Sequence, residues 1–199
     1  MLYGVAGLVV GVLIGVFAAP TVAPEGMYSG MNQGGMSRTM ASSVDRHFIE
    51  QMLPHHEGAI AMAEVALERS TRPEIRSFAE GIIEAQTREN GEMRAWYRNW
   101  FGGEVSEAAD ATGMMGHGDM RMAGMEGDLD RLRAAEDFDL EFIRQMDPHH
   151  EMAVVMAQML LSGTEREEMR TLAEQIITSQ SREIDMMRNW YAAWSANAQ

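Results

Sequence analysis

The 199-residue chain has no cysteine and no lysine: all 16 basic residues are arginine. Without cysteine there is no disulfide framework and no thiolate metal site. With 30 acidic side chains against those 16, the formal net charge is -14, and such a surface repels a phosphate backbone, which argues against nucleic-acid binding. No alternating strand pattern, no glycine-rich phosphate loop after a strand, and no evident serine nucleophile with its base occur, so no enzymatic reaction is expected. Nowhere does the sequence read Glu-x-x-His, the spacing by which di-iron bundles present hard carboxylate oxygens.

What is abundant is methionine, at 20 residues, with 6 histidines. Hydrophobic residues make up 46% of the chain, enough to bury a core in one domain of ordinary size.

Residues 2–19, LYGVAGLVVGVLIGVFAA, form an uncharged apolar run closed by Pro20 and Pro24. This predicts export or tethering, with either a signal peptide cut near Val16-Phe17-Ala18 or an uncleaved transmembrane anchor. Gly7, Gly11 and Gly15 would stripe one face of a helical anchor with small residues, a face suited to a second copy of the chain. The remainder is then expected outside the cytoplasm, periplasmic or at the cell surface, where thioether and imidazole persist and thiols become oxidised.

Shifting the sequence by 94 positions aligns Asp45–Trp100 with Asp139–Trp194 without a gap, with 28 of 56 pairs identical. Within each copy the apolar residues recur at helical spacing. Phe48, Met52, Ala59, Ala63 and Ala66 share one stripe, and Ile75, Phe78, Ala79, Ile82, Met93, Trp96, Tyr97 and Trp100 another. Each copy therefore reads as a helical hairpin, and two hairpins predict an all-α four-helix bundle with pseudo-two-fold symmetry. The expected organisation is an N-terminal segment 1–19, a Met/Gly-rich linker 20–44, a first hairpin 45–100, a Met/Gly-rich connector 101–138 and a second hairpin 139–199. Thr71 with Glu74, and Thr164 with Glu167, are read as capping boxes.

Each first helix carries M-x-P-H-H: Met52, Pro54, His55, His56 and Met146, Pro148, His149, His150. In a continuous helix the methionine precedes the histidines by three and four residues and shares their face. Met62 returns to the face of His55, within about 20°, and Met156 to that of His149. Met93 and Met187 lie on the stripe of the second helices. For Met62, Met93, Met156 and Met187 the competing reading is core filler. Pro54 and Pro148 either kink a continuous helix or begin a new one. Gln86, Glu89, Gln180 and Glu183 interrupt the apolar stripes and are placed either to fix the imidazole tautomers of a metal site or to satisfy structural histidines.

Softness selects the metal. Thioether sulfur suits Cu(I) and Ag(I), and imidazole suits Cu(I) and Cu(II), whereas zinc would rely on the histidines and Asp147. The connector run MMGHGDMRMAGM supplies further soft donors, Met114, Met115, His117, Met120, Met122 and Met125, between small residues.

The duplicated F-I-x-x-M-x-P-H-H-x-x-A-x-x-M-A pattern, followed by I-I-x-x-Q-x-x-E and M-x-x-W, resembles Domain of Unknown Function family 305, which includes periplasmic copper-binding proteins of the CopM type. The resemblance covers residues 45–100 and 139–194. It implies a ferritin-like four-helix fold, export, and copper binding, with Ag(I) as a further cargo, in copper resistance. It points to Met52, His55, His56, Met62, Met146, His149, His150 and Met156. The resulting expectation is a non-enzymatic extracytoplasmic copper binder for sequestration or transfer; a copper or di-metal oxidase and a membrane-tethered structural module are the alternatives.

Overall fold

A computed structural model describes residues 33–105 and 127–196, with side chains from residue 42 onward. The described residues form five helices and no strand: α1 (Gln33–Arg69), α2 (Pro73–Phe101), α3 (Leu129–Ala134), α4 (Phe138–Gly163) and α5 (Glu167–Ser195). The repeated units are the hairpins α1–α2 and α4–α5, and α1 also packs along α4. This is the expected four-helix bundle. The apolar run 2–19, with Gly7, Gly11 and Gly15, lies outside the described residues.

Two boundaries differ from the sequence expectation. Helix α1 begins at Gln33, inside the stretch read as linker. The connector contains the short helix α3, started by Asp128, whose side chain accepts the Arg131 amide at 2.9 Å. Asp137 does the same for α4, accepting from Leu140 at 3.2 Å. Among the described residues no helix is long and apolar enough to cross a membrane.

The expected capping boxes do not form. Arg72 and Arg166 occupy the N-cap positions of α2 and α5 without side-chain caps. The hydroxyls of Ser70 and Thr164 instead accept the amides of Arg72 and Arg166, at 3.2 and 3.1 Å. Residues 70 and 164 are equivalent under the 94-residue shift, whereas 71 and 164 are not. A serine or threonine two residues before an amide closes a local turn more readily than it caps a helix from outside.

These turns belong to two related clasps that join the repeats. Arg72 lies 2.8 Å from Asp139 and 4.3 Å above the Trp194 ring; Arg166 lies 3.1 Å from Asp45 and 4.1 Å above Trp100. Each tryptophan stacks on its neighbour one turn earlier, Trp194 on Trp190 at 5.7 Å and Trp100 on Trp96 at 5.5 Å. Burial pushes the Asp45 carboxyl above its ordinary range, outweighing the Thr164 hydroxyl and the Arg166 charge beside it.

Proline does not interrupt either long helix. Pro54 lies inside α1 and Pro148 inside α4, so Met52 and Met146 remain helical and keep the face shared with the histidines. A helix start at proline is thereby excluded.

The apolar core is divided in two. One cluster joins Ala59, Met62, Ala63 and Ala66 of α1 and Ile75, Phe78 and Ile82 of α2 to Phe142, Ile143 and Met146 of α4 and Ile184 and Met187 of α5. The other joins Phe48, Ile49, Met52 and Leu53 to Met93 and Tyr97, then to Ala153, Ala157 and Leu160 and to Met169, Leu172 and Ile176. Each cluster draws on all four long helices, because α1 and α4 pack antiparallel and bring the loop end of one hairpin against the open end of the other.

Candidate metal centre

Between the two clusters lies a layer of buried polar side chains. His55, His56 and His150 are wholly buried and His149 is 2% exposed. The rings of His55 and His149 meet across the α1–α4 contact with centroids 3.7 Å apart and planes tilted by 38°. Within each pair the adjacent rings are 6.3 Å apart. Consecutive histidines on a helix are separated by about 100° around its axis, so one of each pair faces the opposite repeat while the other turns toward its own hairpin partner.

The hairpin partners supply carboxylates. His56 Nε2 lies 2.9 Å from Glu89 Oε2 in a buried hydrogen bond, and His150 Nε2 lies 2.7 Å from Glu183 Oε2. In the neutral His56 ring Nε2–H donates to the Glu89 carboxylate, which leaves Nδ1 with a free lone pair, whereas the close approach of His150 Nε2 to Glu183 lacks hydrogen-bond geometry. Nδ1 of both His56 and His150 is buried with no hydrogen-bond partner, as are both ring nitrogens of His55. Buried polar atoms are seldom left unsatisfied. Here the orphans are lone-pair donors gathered in one layer, the arrangement a metal ion would complete. Gln86 and Gln180 add buried amide oxygens without partners, and so does Asn90.

The layer holds the His55 imidazole neutral. His55 is pushed down to about 2, first by burial and then by repulsion from His149, His56 and His150. Neutral imidazole is the ligating form.

Methionines close the layer from both sides. Met52 and Met93 pack in one apolar cluster and Met146 and Met187 in the other, each wholly buried. Among the described residues no three His, Asp or Glu side chains form a cluster able to hold an ion by themselves, so thioethers are the natural complement to the imidazoles. Met62 and Met156 stand apart from this layer. Met62 is seven residues past His55, about 10 Å along the helix, and is buried where Gly127 approaches. Met156 is half-buried at the corresponding place in α4. Met114, Met115, His117 and Met120 lie outside the described residues, and so do Met122 and Met125.

Sequence reasoning did not single out Asn90. Its signal was its place on the apolar stripe between Gln86 and Met93, where the second repeat has Ile184.

The family described as Domain of unknown function (DUF305) matches residues 45–191, spanning both hairpins and the histidine layer. The chain belongs to this family. Solved DUF305-like structures with the same fold include CopM in its Cu(II)-bound form, 49% identical, covering 75% of this chain and 97% of that one, with a TM-score of 0.66. CopM in the Cu(I)-bound form is 47% identical, over 75% of this chain and 96% of that one, with a TM-score of 0.65. The silver-soaked form of CopM is 46% identical over the same shares, also at 0.65. No curated protein sequence matches this DUF305 chain.

Proposed function

We propose that this protein binds Cu(I), and with it Ag(I) and Cu(II), outside the cytoplasm, and that it sequesters the ion or hands it on in copper tolerance without catalysing a reaction. The observation that carries this reading is the buried layer of four histidines, in which ring nitrogens of His55, His56 and His150 lack hydrogen-bond partners, set between Met52 with Met93 and Met146 with Met187. Imidazole and thioether together favour a soft or borderline ion over the hard cations that carboxylates select. CopM, solved with Cu(I), Cu(II) and silver, supports the choice of ion.

The binding role without catalysis rests on enclosure. The four rings are at most 2% exposed, which leaves an ion in contact with protein on every side and no open face for an organic substrate. The extracytoplasmic location rests on the apolar run 2–19 and the absence of cysteine, and the same run would serve as anchor or export signal. In this reading Met114, Met115, His117 and Met120 of the connector capture ions for the bundle.

A competition titration of the full chain in detergent with Cu(I), Ag(I) and Zn(II) tests the proposal. Cu(I) and Ag(I) should bind far more tightly than Zn(II), and His55→Gln with His149→Gln should remove the tightest site while helical circular dichroism is retained. Equal affinity for all three ions, or soft-ion binding untouched by the two substitutions, would overturn the bundle site.

A further inference from the structure

The two repeats differ on one outer helix face. In α1 that face is Gly58, Ala61, Met62 and Val65; in α4 the equivalent residues are Met152, Val155, Met156 and Met159. The α1 face is covered: α3 packs on it, Gly58, Met62 and Val65 are buried, and Leu132 of α3 joins their cluster. Its small residues suit the close approach of a covering segment. On α4 nothing among the described residues covers the face, and Val155 is 53% and Met159 68% exposed. Met152 and Met156 are half-buried beside them.

Packing does not account for this pattern. A methionine two-thirds exposed gains little from the core, and where the covered repeat has glycine and valine the uncovered one has Met152 and Met159. The result is three thioethers at positions i, i+4 and i+7 of one helix. Side chains four and three residues apart are surface neighbours, about 5–6 Å between Cβ atoms. Flexible thioethers at that separation can take one soft ion between them, because Cu(I) and Ag(I) accept two or three sulfur donors and bind few competing ligands from neutral water.

We propose that Met156, with Met152 and Met159 on either side, forms a second, solvent-facing site for a monovalent soft ion. It shares no residue with the histidine layer. The layer is closed to water while this face is open, so the surface site exchanges ions with solvent directly.

The test uses full-length protein carrying 13C-methyl methionine, titrated with Ag(I), and with Cu(I) under anaerobic conditions. Single Met→Leu variants assign the three methyl signals, and histidine ring signals report the bundle layer separately. The expected result is a shift of the Met152, Met156 and Met159 methyls, and the loss of one bound ion in the Met152→Leu, Met156→Leu, Met159→Leu triple variant while the histidine signals still respond to silver. Leucine at these outer positions preserves the helix, so the loss would not reflect unfolding. Unmoved methyls, or an unchanged ion count in the triple variant, would overturn the site. A triple variant that alters only the sedimentation of the protein would also overturn it, marking the face as a contact between copies. Failure of the histidine signals alone to respond would sink the bundle site and leave this one standing.

Discussion

His55 of the first repeat and His149 of the second lie face to face at 3.7 Å between ring centroids, although 94 residues separate them in the chain. Two rings this close, with His56 and His150 beside them, tolerate little positive charge.

The first prediction concerns acid. Folded His55 stays neutral down to about pH 2, while an unfolded histidine takes up a proton near pH 6.5. Between these values the unfolded state binds more protons, so stability is full above about pH 6.5 and falls as the pH drops, by up to about 1.4 kcal/mol per pH unit. Urea denaturation of the metal-free protein should show a lower midpoint at pH 5 than at pH 7.5. A flat or rising midpoint would contradict the buried neutral ring.

The carboxylate on His56 sets which nitrogen is offered to an ion. With Nε2 held 2.9 Å from Glu89, ligation falls to Nδ1. Nitrogen-15 spectra of the silver-loaded protein should show Nδ1 of His56 as the metal-bound atom, and Glu89→Gln should weaken silver affinity by about 10–100-fold, as for other partners of metal-bound histidines. Nε2 ligation, or full affinity in Glu89→Gln, would refute this.

The clasps are expected to contribute to stability independently. Asp45→Ala strands Arg166 and Asp139→Ala strands Arg72; a hydrogen bond to a charged group is worth about 1.5–3 kcal/mol, and each change should destabilise the fold by that order. Since the two aspartates share no partner, the double variant should lose nearly the sum. Denaturation curves with a strongly non-additive double variant would show that the clasps are coupled.

Gly127 has φ +65, and a Cβ there would lie 2.5 Å from the Met62 sulfur. Gly103 has φ +85 with open space around it. Gly127→Ala should therefore cost about 1–2 kcal/mol from its backbone conformation plus the displacement of Met62. Gly103→Ala should lose only the backbone part. Equal losses in thermal melts of the two variants would mean that Met62 yields freely.

Much of the bundle was legible in the sequence because the repeat shows the same helical stripe twice, and the His pairs stood out on stripes otherwise apolar. Helix α3 was not legible: it has six residues and buries only Leu132, too short a segment for periodicity to register. The turn chemistry was misread because Thr71 and Thr164 were compared as counterparts, whereas the structure uses the equivalent positions Ser70 and Thr164. Met62 and Met156 look alike in sequence yet differ in burial, because α3 and Gly127 cover one repeat and not the other. That asymmetry arises between segments, so no feature local to either methionine announces it. The layer of histidines was readable in composition, but its cross-repeat contact between His55 and His149 depended on the antiparallel packing of α1 and α4.

Closure of the histidine layer also governs time. Rings at most 2% exposed can exchange a ligand only when the helices around them part, and such openings are limited by local stability and not by diffusion. Loading and release would then share one gate, so the residence time of an ion is set by how often α1 and α4 separate. A substitution that loosens this seam without touching any donor would shorten that residence time while the bound geometry stays the same.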